Sequence, residues 1–332
     1  MDFELENLKP FCAFVGPNAS GKSNIFEALE FTNYVIRYIR EAPGFFGGIR
    51  DLFNRKSKAD RMIFDFVFDS ALIIDFELQS GGFLTGRMHL LDNDAPLDVF
   101  SIRTLEKRKE FIKNWLSTGH EYQNEYEQFV DSFSRIFVGK SSLNRTPPVN
   151  TRLSQDASNL AQIIGMIFEK KVKRNDFTEW LRILIPEFKN IEVKKSNIDG
   201  SYDFFIYEKG SKGPFSRNLV SDGTYNILSL MAAVYQGAQP QFLCIEEPEN
   251  GLHPQAIELL VDFFREKCEE EGHHIWLNTH SPTLVRCLEI DEIILINKAN
   301  GETQAKQLTK NDEVNIKTDE AWLSNARGGG VL

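Results

Sequence analysis

Between Gly16 and Asn24 the chain reads GPNASGKSN, directly after the apolar run Phe11–Val15. The spacing is G-x-x-x-x-G-K-S, and each fixed position has a chemical reason. Gly16 and Gly21 let the backbone turn successive N–H groups toward phosphate oxygens. FCAFVG predicts a strand, and KSNIFEALEFTNYVI predicts a helix whose N-terminus adds partial positive charge at the same point. The cradle would be formed by Gly16, Pro17, Asn18, Ala19, Ser20, Gly21, Lys22, Ser23 and Asn24. Within it Lys22 is expected to reach the β- and γ-phosphates, and the Ser23 hydroxyl to ligand Mg²⁺. A chance Gly/Ser turn with an exposed lysine would need neither the strand before it nor the helix after it.

A phosphate loop binds nucleotide, but rapid hydrolysis needs an acid partner and a positioned water. FLCIEEPENGLHP (Phe242–Pro254) offers both. Its apolar start predicts a buried strand with Glu246 and Glu247 at the C-terminal end, where open α/β sheets bind ligands. Glu246 is expected to hold Mg²⁺, directly or through water. Glu247, on the opposite side of the pleat, is expected to polarise the attacking water as general base. The competing reading is a solvated acidic loop. His280, in NTHSP just past the next strand, can contact the γ-phosphate, whereas His253, His273 and His274 read as structural. LVSDGTYNIL (Leu219–Leu228) puts Ser221 and Gly223 at a predicted helix N-terminus. That is either an ordinary cap or a second anion site, and a second site makes sense if it serves the nucleotide of another protomer.

These side chains need a frame. After the first strand, loop and helix, RMIFDFVF, ALIIDFELQ and GRMHLL predict short antiparallel strands, with turns at Gly81–Gly82 and Asp92–Asp94. Helical stripes follow: Leu105, Ile112, Trp115 and Leu116; then Tyr122, Tyr126, Phe129, Val130, Phe133 and Phe137. NRTPPVN (Asn144–Asn150) reads as a linker. Two more helices are marked by Leu160–Phe168 and by Phe177, Trp180, Leu181 and Leu184, the second ended by Pro186. Strands return at IEVKKS and YDFFIYEK, and from Leu219 onward strands and helices alternate, which implies a parallel sheet with right-handed crossovers. One nucleotide-binding core is therefore expected from both chain ends. Residues 1–99 would form its N-terminal lobe with an antiparallel β-subdomain, 100–190 a helical insertion, and 191–332 the C-terminal lobe. The tail ARGGGVL is expected to be mobile.

With 332 residues, the chain is long enough to bury a proper core in one large or two moderate domains. No apolar run reaches membrane-spanning length, and the start MDFELENLKP lacks a secretory core. The four cysteines show neither metal-type nor disulfide-framework spacing. The expectation is a reduced, cytoplasmic protein with no membrane partner. A net charge of −10 argues against constitutive, non-specific binding of a nucleic-acid backbone. The basic clusters KKVKR (Lys170–Arg174) and RKSKADR (Arg55–Arg61) read as solvated faces.

Phosphate loop, serine segment, acid-ended strand, ENGLHP and NTHSP occur in the order found in ABC-class ATPases. The chain resembles their SMC/RecF-like branch and the AAA-type, OLD-like ATPases of prokaryotic defence and repair systems, over residues 11–30 and 219–297. The resemblance implies an α/β P-loop NTPase of ABC-ATPase type with an antiparallel β-subdomain and a helical insertion. It implies ATP and Mg²⁺ as ligands and a head-to-tail ATP sandwich, in a dimer or higher oligomer of this chain. Ser221 and Gly223 of one protomer would then face the phosphate loop of the other, and Asn250 and Gly251 would communicate across the dimer. Departures are V-S-D-G-T in place of L-S-G-G-Q, with Asp222 adding negative charge, and Glu246 in place of the usual Asp. Gln79 is a switch-loop candidate by rough location alone. OLD-like proteins often carry a TOPRIM nuclease domain, but only about 50 residues follow His280, too few for a further domain. The leading expectation is an ATP-hydrolysing switch subunit that controls a separate effector, such as a nuclease or toxin, in anti-phage defence. The alternatives are a RecF-like repair ATPase that binds DNA directly and a scaffold that binds ATP to assemble. Acidic charge and the lack of coiled-coil heptads favour the first over the second, and Glu247 favours it over the third.

Overall fold

The computed structural model describes residues 4–38, 41–53, 60–68, 72–90, 93–101, 124–140, 151–196, 198, 200–299, 301–312 and 318–323. Residues 27–133 form one compact unit, and the stretches up to Phe26 and from Ser134 form the other.

The unit drawn from both flanks contains β1 (Phe11–Val15), β6 (Phe133–Ile136), β10 (Phe242–Glu246), β11 (His274–Thr279), β12 (Ile293–Ala299) and β13 (Glu302–Gln307). They form a six-stranded sheet in the order β13-β12-β1-β11-β10-β6. β1 pairs in parallel with β11 and β12, β10 pairs in parallel with β11, and β13 returns antiparallel to β12. Every residue of β1 and β10 is buried, the signature of a sheet covered on both faces. Phe11, Ala13 and Val15 join the main core with Leu243, Ile245, Ile275 and Leu277. Phe14 points the other way, to Phe26 at 5.3 Å and Trp276 at 5.8 Å between ring centroids.

Helices add to that core Ile163 and Ile164 of Leu160–Phe168, Met231 of Asp222–Tyr235, and Phe263 and Phe264 of Pro254–Glu271, among others. The last helix starts with proline at its first position, where no N–H is needed, and stops at Gly272, whose φ of 71° is left-handed. A three-stranded antiparallel sheet, β7 (Phe188–Lys195), β8 (Tyr202–Glu208) and β9 (Phe215–Ser216), contributes Ile191, Phe204 and Ile206.

The other unit contains an antiparallel sheet of β2 (Arg61–Phe68), β3 (Leu72–Gln79), β4 (Leu84–Leu90) and β5 (Asn93–Ser101). β2 alternates as a half-buried strand should: Met62, Phe64 and Phe66 turn inward while Ile63 and Val67 face out. Aromatic rings fill the interior, with Phe64 stacked on Phe76 at 4.6 Å and Phe66 over Phe129 at 6.4 Å. Phe129 lies on the helix Asn124–Ser132, which Asn33 holds by donating to the Phe129 and Val130 carbonyls.

Several elements differ from the sequence reading. β5, β6 and β13 were not expected as strands. Phe133 and Phe137 fit a helical stripe with Tyr126 and Phe129, yet the helix ends at Ser132 and the chain extends to lie beside β10. Short apolar runs satisfy both periods, and the free edge of a sheet decides between them. The compact units divide at Phe26/Glu27 and Phe133/Ser134. β6 and both helices between Leu160 and Leu184 belong to the nucleotide-loop unit, because Ile136, Ile163, Ile164, Phe177 and Leu181 complete its core. Lys173 is no solvated face residue: its Nζ donates to the Tyr235 and Gly237 carbonyls. The stripe Leu105–Leu116, Tyr122, the linker 144–150, most of 55–61 and the tail 326–332 lie outside the described residues.

β10 and β11 are tied at their starts by His273. Its Nδ1 accepts the Gln241 amide at 2.7 Å, and the His274 amide donates to Gln241 O at 2.8 Å. Burial holds the His273 pKa below its ordinary 6.5, against the attraction of Glu271. A folded pKa below the unfolded one means that this stability is present above about pH 6.5 and is lost as pH falls through the folded value. We expect the melting temperature of the wild type to fall more steeply with acidification in this range than that of His273→Gln, whose amide oxygen accepts at any pH. Equal slopes would assign the acid sensitivity to other groups.

Candidate active site

The phosphate loop leaves the C-terminal end of β1, and the helix Lys22–Tyr38 begins within it. Its backbone is left-handed at Ala19 (φ 62°) and at Gly21 (φ 106°). Gly21 is required by crowding as well as by angle, and Gly16 by crowding. A Cβ on Gly16 would stand 2.1 Å from the Ile296 carbonyl oxygen, and one on Gly21 would stand 2.1 Å from Thr303 Oγ1. The β12–β13 hairpin thus braces the loop from behind, and Thr303 Oγ1 donates to the Ser20 carbonyl at 2.9 Å. Lys22 arches over the loop, donating from Nζ to the carbonyls of Gly16 at 2.7 Å and Pro17 at 2.9 Å. Burial lowers its pKa, while Glu247, Glu249 and Glu246 pull it back up. Asn18 and Asn24 are exposed, and the Asn24 amide donates to Gly21 O in the first helical turn.

Glu246 closes β10 beside Ser23. The Ser23 hydroxyl donates to Glu246 Oε2 at 2.6 Å, and Asn278 Nδ2 reaches both Ser23 Oγ and Glu246 Oε2, at 3.2 and 3.3 Å. The other carboxylate oxygen is taken by Arg135 of β6: Nε donates to Oε1 at 2.6 Å, and the terminal Nη2 pairs with the same oxygen. The two side chains are only 3% and 1% exposed. Removing one partner of such a buried pair costs about 3–5 kcal/mol, because the other charge is left uncompensated.

Glu247 does not continue the pleat as expected. The strand stops at Glu246, and Glu247 turns to φ 49°, a left-handed conformation that costs a residue with a Cβ roughly 1–2 kcal/mol. Its amide donates to Asn278 O at 2.8 Å. Its Oε2 accepts from Asn250 Nδ2 at 2.9 Å, and its Oε1 lies 3.8 Å from His280 Nδ1. Glu249 is buried next to them, accepting from Thr279 Oγ1 at 2.5 Å; burial raises its pKa, against that hydrogen bond.

Ser221 caps the helix Asp222–Tyr235, its Oγ accepting the Thr224 amide at 3.2 Å and donating to Thr224 Oγ1 at 3.0 Å. Gly223 packs so closely on the Asn250–Gly251 loop that a Cβ there would meet Gly251 O at 2.5 Å. Asn226 locks the same loop, donating to the carbonyls of Pro248 at 2.9 Å and Asn250 at 2.8 Å. The structure therefore gathers Gly16–Asn24, Glu246, Glu247, Asn250 and His280, and joins Ser221 and Gly223 to the Asn250 side. Gln79 ends β3 in the other unit and donates to Glu77 Oε1 at 3.0 Å. Arg135, Asn226, Glu249, Asn278, Thr279 and Thr303 were missed by the sequence reading. Glu249, the third acid of EEPE, was the one with a visible signal.

The cluster suits a polyanion with a hydrated metal ion. Ser20 Oγ, Glu249 Oε2, Asn278 Oδ1 and His280 Nδ1 are buried and lack hydrogen-bond partners among the described residues. Such atoms usually have a polar partner. Among the same residues no group of three or more His, Cys, Asp and Glu could hold a metal by itself. Ser23 and Glu246 offer Mg²⁺ two oxygens, the small protein share that is typical when phosphates and water supply the rest. Gly21→Ala must place a methyl group on Thr303 at a left-handed φ. We expect it to fold but to lose nucleotide binding by at least tenfold, measured by titration with a fluorescent nucleotide; wild-type affinity would show that the loop is not so constrained.

A sequence profile for the family described as "AAA domain, putative AbiEii toxin, Type IV TA system" matches residues 11–286. No curated protein matches the chain. Among solved structures, an Smc head bound to the C-winged helix domain of ScpA shares 17% identity at a TM-score of 0.59, covering 91% of each chain. The Smc head with an extended coiled coil, bound to the C-terminal domain of ScpA derived from Pyrococcus furiosus, shares 15% at 0.58, covering 96% of this chain and 94% of that one. The Smc head with coiled coil and joint from Pyrococcus yayanosii shares 12% at 0.53, covering 96% and 95%. At such identities the likeness is one of fold, and it is the expected α/β P-loop fold of the ABC/SMC type. With the profile spanning the phosphate loop, the acid-ended strand and the His280 turn, this chain belongs to that AAA-domain family.

Proposed function

We propose that the chain binds Mg-ATP in the loop Gly16–Asn24 and hydrolyses it to ADP and phosphate. The observation that carries this reading is the contact of Ser23 with Glu246 under the phosphate loop, with Glu247 on the adjoining residue. Lys22 exchanges the carbonyls of Gly16 and Pro17 for β- and γ-phosphate oxygens. Mg²⁺, when bound between Ser23 and Glu246, supplies charge neutralisation for the phosphates. Glu247 takes the proton of the attacking water at its carboxylate, which Asn250 orients from one side and His280 approaches from the other. His280 reads the γ-phosphate.

Ser221 and Gly223 serve the nucleotide of a second copy. Two features support this: Ser221 is exposed at the start of a 14-residue helix, and its segment is bonded to the Asn250 loop that holds Glu247. The assembly is then a head-to-tail dimer, or a higher oligomer, that closes on ATP. We further propose that closure controls a separate effector protein, such as a nuclease or toxin, in prokaryotic anti-phage defence. A toxin–antitoxin setting in the family description and a partner protein bound to the Smc heads support that direction.

Glu247→Gln should retain ATP binding and lose turnover by roughly 10²–10⁴-fold, since only the base is removed. Lys22→Ala should lose binding itself. Phosphate release and nucleotide titration separate the two, and wild-type turnover in Glu247→Gln would move the base elsewhere. Light scattering of Glu247→Gln should show a dimer that requires Mg-ATP; a monomer with and without it would leave an isolated P-loop ATPase and remove the sandwich.

A further inference from the structure

Arg135 is a residue of this site to which the proposed chemistry gives no role. It is buried on β6, and its guanidinium places both Nε and Nη2 on one oxygen of Glu246. The exit of β6 is pinned as well: the Phe137 amide donates to Gln155 O at 2.7 Å and the Gly139 amide to Asp156 O at 3.1 Å. Glu246 is thereby held with Oε1 occupied and only Oε2 turned to Ser23, where a metal ion would sit.

We infer that Arg135 sets the choice of divalent ion: by occupying Glu246 Oε1 it limits the carboxylate to a one-oxygen contact and favours Mg²⁺ over Ca²⁺. The argument rests on the proposed role of Glu246 at the metal. Mg²⁺ is small, keeps an octahedral shell with several waters, and asks little of a protein beyond one or two well-placed oxygens. Ca²⁺ takes six to eight oxygens and gains from carboxylates that bind through both. A guanidinium fork fixed in a buried strand denies Ca²⁺ the second oxygen, and a lysine in its place would hold the carboxylate less rigidly. Arg135 would act on the metal through Glu246, whose Oε1 it holds. It is a positioning residue.

The test is equilibrium binding of a fluorescent, non-hydrolysable ATP analogue to the full chain in EDTA, in Mg²⁺ and in Ca²⁺. The quantity read is the gain in affinity from each metal. Wild type should gain more from Mg²⁺ than from Ca²⁺. In Arg135→Gln the ratio of the two gains should fall by about tenfold or more, the usual effect of losing a residue that orients a metal ligand. Affinity in EDTA should stay near that of wild type, and Arg135→Lys should lie between. If Arg135→Gln does not fold, Arg135→Gln with Glu246→Gln removes the unpaired charge. Compared with Glu246→Gln alone, that double variant should show no further change in the ratio. An unchanged ratio in both Arg135→Lys and Arg135→Gln, or a further change in the double variant, would overturn the inference while leaving Glu246 at the metal. No metal-dependent gain in the wild type would instead overturn the metal assignment and this inference with it.

Discussion

The parallel pairing of β1 with β11, residue against residue from Phe11 and Ile275 to Val15 and Thr279, brings together everything that follows. It sets the end of the first strand beside the end of a strand that also pairs with β10, so three chain segments finish at one edge of the sheet. There the Gly16 amide donates to Thr279 O and the Glu247 amide to Asn278 O, so the phosphate loop and the Glu247 turn both lean on the end of β11. Ser23 and Glu246, 223 positions apart, then meet at hydrogen-bonding distance. Strands without an apolar face on each side could not be buried this way, and the alternation of Phe11, Ala13 and Val15 against Phe14 shows both faces in use.

Local rules are broken where the chemistry is proposed. Glu247 sits at a left-handed φ, Ala19 does the same inside the phosphate loop, a charged pair is buried at Glu246, and Glu249 keeps a carboxylate oxygen without a hydrogen-bond partner among the described residues. Each is a cost that a purely structural turn would shed. Their concentration in a few residues at one sheet edge points to a site that the surrounding packing holds in place.

What the sequence disclosed and what it hid divide along a physical line. The loop Gly16–Asn24, the acids after Phe242–Ile245 and the His280 turn are local patterns whose spacing alone states a geometry. Arg135 and Thr303 have no such pattern. Each matters because a strand far away in the chain arrives at the sheet, β6 next to β10 and β13 next to β12, and strand order cannot be read from a window of residues. β6 was hidden twice over, because Phe133 and Phe137 extend the stripe of the preceding helix. The β2–β4 hairpins, by contrast, were legible from alternation and turn residues, since antiparallel neighbours in sequence are neighbours in space.

The serine segment and the proposed catalytic base share one set of hydrogen bonds. Asn226, on the helix that Ser221 caps, holds the carbonyls of Pro248 and Asn250; Asn250 in turn holds the Glu247 carboxylate. Gly223 lies so close to Gly251 that a Cβ on it would meet the Gly251 carbonyl oxygen at 2.5 Å. In the proposed sandwich, a nucleotide of the second copy pressing on Ser221 and Gly223 would therefore act on the loop that aims Glu247 in the first. Such an arrangement would make hydrolysis at one site answer to occupancy of the other without a long pathway, because Asn226 and Asn250 link the helix that Ser221 caps to the Glu247 carboxylate.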